Sequence, residues 1–128
     1  MWRFLFAVIL VVACVTVAAA GPIEDAESAI QHEDYTLAAR LFRPLAEQGN
    51  AKAQVMLGIM YDFGQGVPQD FLLAHMWLNV GAAAMNGEAG NAAMKSRDHV
   101  ASQMTPEQIV KAQAMARRCI RSKFKECD

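Results

Sequence analysis

Residues 53–87 read AQVMLGIMYDFGQGVPQDFLLAHMWLNVGAAAMNG, and this stretch decides the fold class. Apolar residues recur at helical spacing on both sides of a short turn, Gly64-Gln65-Gly66-Val67-Pro68. Glycine adopts backbone angles that other residues resist, and proline cannot continue a helix. The stretch therefore predicts two helices joined by a glycine-rich turn.

The first of these helices is predicted over 51–63 and is apolar on nearly every side. Only Lys52, Gln54 and Asp62 are plainly polar, and we expect Asp62 on the exposed side. A helix with this pattern is packed on two sides, as in a stack of helices. The second helix is predicted from the N-cap Asp70 to about Met85.

Small residues in the two helices indicate that they approach each other closely. Gly58 in the first helix and Ala74 in the second leave room for backbone contact, and Trp77 fills the remaining volume.

Outside this pair, the spacing of apolar residues predicts further helices over 23–33, 35–48, 89–104 and 105–122. Leu37, Leu41 and Leu45 form one stripe of the helix over 35–48, with Ala38 and Phe42 beside it, and Pro44 predicts a bend or break in this helix. Thr105, followed by proline and then by Gln108, predicts a capping box. No alternating strand pattern occurs after residue 20, so the fold class is all-α.

An internal copy supports a repeat architecture. Asp34-Tyr35-x-x-Ala38 recurs as Asp70-Phe71-x-x-Ala74, 36 residues later, and Gly49-Asn50-Ala51 aligns with Gly87-Glu88-Ala89, 38 residues later. A helix-pair period in the mid-thirties predicts a short α-solenoid of antiparallel helix pairs, of tetratricopeptide type. We expect one full repeat at about 51–87, degenerate half repeats at 23–50 and 88–104, and a C-terminal capping helix at 105–122.

The helix pair contains the pattern Ala53-Gln54-x-x-Leu57-Gly58-x-Met60-Tyr61-x-x-Gly64-x-Gly66-Val67-x-x-Asp70-x-x-x-Ala74-x-x-Trp77. This pattern resembles the Sel-one-like repeat, a tetratricopeptide-related helix pair of bacterial secreted proteins. Residues 97–113 are similar to a C-terminal cap of small members of that family. The resemblance implies a protein-binding scaffold that acts as an adaptor or regulator. Some cysteine-rich relatives are linked to β-lactam binding or hydrolysis, but here no cysteine falls within the repeat, which sets the chain apart from them.

Residues 1–20 have the layout of a secretory signal peptide. A positive start with Arg3 precedes an uncharged apolar segment, and Ala18-Ala19-Ala20 before Gly21 predicts cleavage between Ala20 and Gly21. We expect a secreted or periplasmic protein of residues 21–128. Val11-Val12-Ala13-Cys14 also resembles a lipobox, so a lipoprotein anchored through Cys14, or a retained membrane leader, remains the alternative.

Charge is nearly balanced but unevenly placed. After removal of the leader, 11 basic and 13 acidic residues give a net charge of −2, which gives no general reason to expect nucleic-acid binding. The acidic residues gather near the front of the domain and the basic ones near its end. This distribution is compatible with two solvated faces, with attraction between neighbouring copies, or with a basic docking patch.

Cys119 and Cys127 remain after cleavage, and an even number of cysteines outside the cytosol suggests a disulfide. In a continuous helix these residues would lie about 12 Å apart along the axis, too far to bridge. A disulfide therefore requires the last helix to end near Ser122 and the tail to fold back.

The sequence contains no recognisable catalytic set, metal-ligand spacing or cofactor motif. His75 and His99 lack a cysteine or serine at an activating spacing, and Asp62 and Asp70 are better explained by helix position than as a carboxylate pair. We expect no enzyme activity, no metal and no cofactor.

The predicted binding residues are Met56, Ile59 and Phe63. In related solenoids the first helix of each pair lines the concave face, so this row would form a groove for a partner peptide or helix. A self-associating structural envelope protein is the other non-enzymatic alternative, because so few repeats leave helix faces uncovered.

Overall fold

The computed structural model describes residues 21–128, which form six α-helices and no strand. The predicted signal peptide, Ala20 and Cys14 lie outside this part of the chain. In order, the helices are α1 Pro22–Gln31, α2 Tyr35–Glu47, α3 Ala51–Phe63, α4 Phe71–Ala84, α5 Gly87–Ala101 and α6 Pro106–Arg121. The all-α prediction is confirmed, and none of these helices is long and apolar enough to span a bilayer.

Helix starts are fixed by side-chain caps at the residues that the sequence indicates. Asp34 Oδ1 accepts the Leu37 N–H at 3.1 Å, and Asp70 Oδ1 accepts the Leu73 N–H at 3.0 Å. The two aspartates of the internal copy therefore start α2 and α4 in the same way. Thr105 and Gln108 form the predicted capping box of α6.

Consecutive helices pack in antiparallel pairs, and α6 folds back against α4. The first helices of successive pairs, α1, α3 and α5, share one side of the domain: Glu27 of α1 forms an ion pair with Lys52 of α3, and α3 also contacts α5. The other side carries α2 and α4. On that side α6 packs against α4.

The contact between α3 and α4 is very close, as predicted. A Cβ atom added at Gly58 would lie 3.1 Å from the carbonyl oxygen of Ala74, and one added at Gly81 would lie 3.1 Å from that of Ala51. Trp77 is fully buried in the core.

Pro44 lies inside one continuous helix, so the alternative that α2 is divided into two pieces is wrong. The most buried row of α2 is Ala38, Phe42 and Ala46, which are fully buried, whereas Leu37 is 39% exposed. Small alanines face the core here and let the neighbouring helices come close, and the leucines lie beside them.

Candidate partner-binding groove

A cleft of about 300 Å³ lies between α3 and α5, on the side of the domain that α6 leaves open. Its walls are Ile59, Asp62 and Phe63 from α3 and Lys95, Ser96 and His99 from α5. We call this cleft the α3/α5 groove. It combines an apolar rim with carboxylate, ammonium, hydroxyl and imidazole groups.

Phe63 is the most exposed large apolar side chain in the described chain, at 64%. It is the last residue of α3, because Gly64 follows in the left-handed conformation (φ 64°) and ends the helix. A large aromatic ring is thereby held at a rigid helix end with most of its surface in solvent.

The structure brings two of the three predicted binding residues together. Ile59 lies one turn before Phe63, and both line the α3/α5 groove. Met56 lies a further turn back on the same face but does not line the cleft. Ile59 and Met56 are half-buried against the core, so Phe63 offers the largest free apolar area.

Asp62 corrects the sequence prediction. We expected it on the exposed side of α3, yet the residue is only 8% exposed, and the polar Gln54 of the same helix is fully buried. The amide of Gln54 donates to the Ala46 carbonyl at 3.1 Å, which explains how one polar group fits the interior. The Asp62 carboxylate instead lines the α3/α5 groove.

His75 lies in α4 and is 3% exposed. Burial lowers its pKa, and the nearby Arg97 lowers it further, while Asp98 acts in the opposite direction. Arg97 itself donates to Asn79 Oδ1 at 3.0 Å. Burial, with a smaller contribution from Arg97, thus favours the neutral form of this imidazole over the charged form.

On the opposite side of the domain, the C-terminal tail folds back between α2 and α6, where it lines a cleft of about 420 Å³ with Glu47 and Arg118. α6 ends at Arg121, the chain turns, and Cys119 and Cys127 form a disulfide with their Cα atoms 4.3 Å apart. Phe124 of the tail packs over Gly49, where an added Cβ would lie 2.9 Å from the ring.

Arg43 joins the tail to the first helix pair. Its guanidinium donates to the Asp128 carboxylate at 2.9 Å and to the Tyr61 hydroxyl, and it lies 5.9 Å from the centre of the Tyr61 ring. Burial alone would lower the Arg43 pKa, but Tyr61 and Asp128 outweigh it and the pKa is raised. Burial also raises the Tyr61 pKa, against the opposing effect of Arg43.

In residues 21–128, no three His, Cys, Asp or Glu side chains lie close enough together to hold a metal ion. The α3/α5 groove instead offers an exposed ring beside isolated polar groups, which suits recognition of a side chain by shape and charge.

These features define the class of protein: a short stack of antiparallel helix pairs, or α-solenoid, with a C-terminal helix that folds back against α4. The family model of the Sel1 repeat, also called the Sel-one-like repeat, matches residues 26–50 and 51–85. The chain is therefore a Sel1-like repeat protein, and repeats of this kind generally serve as scaffolds for protein–protein interaction.

A solved structure supports the fold. The protein in it is a protective antigen present in uropathogenic Escherichia coli strains and displays an SLR fold. It matches this chain with a TM-score of 0.71 and 24% sequence identity over 83% of this chain. The match spans only 23% of the antigen, so the similarity bears on the fold alone. A comparison with curated proteins gives no match.

Proposed function

We propose that this protein is an exported adaptor that binds a segment of another protein in the α3/α5 groove and catalyses no reaction. The observation that carries the proposal is Phe63, which is 64% exposed at the mouth of the groove. Rigidly held aromatic side chains that lose their water on binding are frequent anchors of protein interfaces.

The exposure of apolar side chains supports the choice of surface. Other clefts lie around the tail, α2 and α6. Within residues 21–128, none of the large exposed apolar side chains lines those clefts, whereas Phe63 lines the α3/α5 groove.

Co-purification with two matched variants tests the proposal. Phe63→Glu places a charge at the mouth of the groove, whereas Val110→Glu places one on α6 at a side chain of nearly equal exposure, 64% against 62%. We expect proteins that co-purify from the cell envelope with wild type to be lost with Phe63→Glu and retained with Val110→Glu. Equal recovery with both variants, or recovery of nothing with wild type, would contradict the proposal.

A separate experiment tests the proposal that the protein catalyses no reaction. It uses a β-lactam, because some cysteine-rich relatives are linked to β-lactam binding or hydrolysis. Incubation of the purified protein with a chromogenic β-lactam should show no turnover above buffer. Turnover that disappears in His75→Ala would show that the protein is an enzyme and would overturn this part of the proposal.

A further inference from the structure

The first end of the helix stack is an acidic surface. There α1 packs against α2, and no Lys or Arg occurs from residue 21 to residue 39. The side chains of Glu24 and Asp25 in the first turn of α1 are exposed, as is that of Glu33 in the turn after the helix. Within the described chain, none of these three carboxylates forms an ion pair. We call this region the acidic α1 surface.

The last helix carries a cleft of the opposite charge, which we call the α6 cleft. It has a volume of about 530 Å³, and its lining consists of Lys111, Ala114, Met115, Arg118, Arg121 and Asp128. The Asp128 carboxylate is bound by Arg43, and the main-chain oxygen of Asp128 accepts from Arg118 at 3.3 Å. Between residues 21 and 128, the three basic lining residues are exposed and form no ion pair with a side-chain carboxylate.

The charge of the whole domain is divided in the same way. Residues 106–128 hold six basic and three acidic side chains, whereas residues 21–105 hold five basic and ten acidic ones. The acidic α1 surface and the α6 cleft belong to helices that pack against different neighbours, α2 and α4. Their charges are therefore available to a second molecule.

We infer that the α6 cleft binds the acidic α1 surface of a second copy of this protein, so that copies associate head to tail. The lengths of the two surfaces agree, because α1 is about 15 Å long and the distance from Lys111 to Arg121 along α6 is also about 15 Å. A second copy that lays α1 along the cleft meets cations along the length of this helix.

The form of this contact determines how the association behaves. Two different surfaces meet, so each added copy leaves one free α6 cleft and one free acidic α1 surface, and the association continues. Exposed ion pairs are weak and are screened by salt, so the association is weak and salt-dependent. Neither Phe63 nor Val110 lines the α6 cleft, and the α3/α5 groove stays free for a partner.

Sedimentation velocity of charge-reversed variants tests this inference, with the protein purified as the producing cell processes it. Wild type should sediment faster as its concentration rises, and 1 M salt, at which the Debye length is about 3 Å, should return it to the monomer. Arg118→Glu/Arg121→Glu and Glu24→Lys/Asp25→Lys should each associate about a hundredfold more weakly, because like charges then meet. An equal mixture of the two variants should associate again, because the first variant keeps its acidic α1 surface and the second keeps its basic cleft.

Each other result contradicts the inference. A wild-type monomer at every concentration, association that persists in either reversed variant, or a mixture that stays monomeric would do so. Thermal unfolding checks the fold of each variant. If Glu24→Lys/Asp25→Lys does not fold, Glu24→Gln/Asp25→Asn takes its place and should associate about tenfold more weakly than wild type.

Phe63→Glu separates this inference from the proposed function. It should lose the partner protein but associate with itself as wild type does, because Phe63 does not line the α6 cleft. Loss of self-association in Phe63→Glu would move the contact between copies to the α3/α5 groove and overturn the inference.

Discussion

Gly66 is the residue at which the turn of the second helix pair meets the first pair. Its φ is 72°, and an added Cβ would collide with the Tyr35 carbonyl and lie 2.9 Å from the Thr36 nitrogen. The left-handed conformation and the contact with a helix backbone both require glycine here. Gly87 shares the left-handed conformation, with φ 64°, but has open space around it.

This pair of glycines gives a stability prediction. Gly87→Ala should lower the free energy of unfolding by about 1 kcal/mol, the cost of placing a side chain in the left-handed region. Gly66→Ala should lower it by about 3 kcal/mol, because the start of α2 must also move. Urea unfolding of both variants measures the difference, and equal losses would show that the turn does not press against α2.

His75 gives a prediction about pH. Its pKa is lowered by burial and by Arg97, so the unfolded chain binds a proton more readily than the folded one. The stability that this neutral histidine contributes is present above its unfolded pKa of about 6.5 and is lost as the pH falls below that value. His75→Leu should therefore lose less stability than wild type between pH 7.5 and pH 5, as measured by urea midpoints. An equal loss in the two proteins would show that His75 is not the group responsible.

At the scale of single elements, the tail is held by one disulfide and by hydrogen bonds from Arg43 and Arg118 to Asp128. The disulfide closes a loop of about nine residues, which should stabilise the fold by roughly 2–3 kcal/mol through the entropy of the unfolded chain. Cys119→Ala/Cys127→Ala should unfold at a correspondingly lower urea concentration, and reduced wild type should behave like it. Two free thiols in protein isolated from the envelope, or an unchanged midpoint, would contradict this account.

The helices themselves were largely predictable because their signals are local. Asp34, Asp70 and Thr105 each lie within three residues of the N–H group that they cap, and α3 begins and ends where its pattern indicates. The last helix ends at Arg121, so the tail can turn back and place Cys127 beside Cys119. Local chemistry decides each of these features.

The surroundings of the candidate site were harder to predict because they depend on distant residues. The bond from Arg43 to Asp128 spans 85 positions, and no motif marks it. Asp62 reads as surface from its polarity, yet the approach of α5 encloses it. Ile59 and Phe63 were found from helical spacing alone, but their carboxylate neighbour became a site residue only once the groove was visible.

At the scale of the whole molecule, the tail and α6 pack on one side of the domain and the α3/α5 groove lies on the other. Arg43 joins the tail to α2, while the groove presents the exposed ring of Phe63. We therefore expect the partner to bind on the side away from the tail.

Site-specific photo-crosslinking in intact producing cells tests the binding claim most directly. A photoreactive phenylalanine at position 63 reports on the groove, and the same residue at position 110, on the exposed face of α6, is its matched control. The account predicts a discrete crosslinked adduct with another protein at position 63 and none at position 110. No adduct at 63, or the same adduct at both positions, would contradict it.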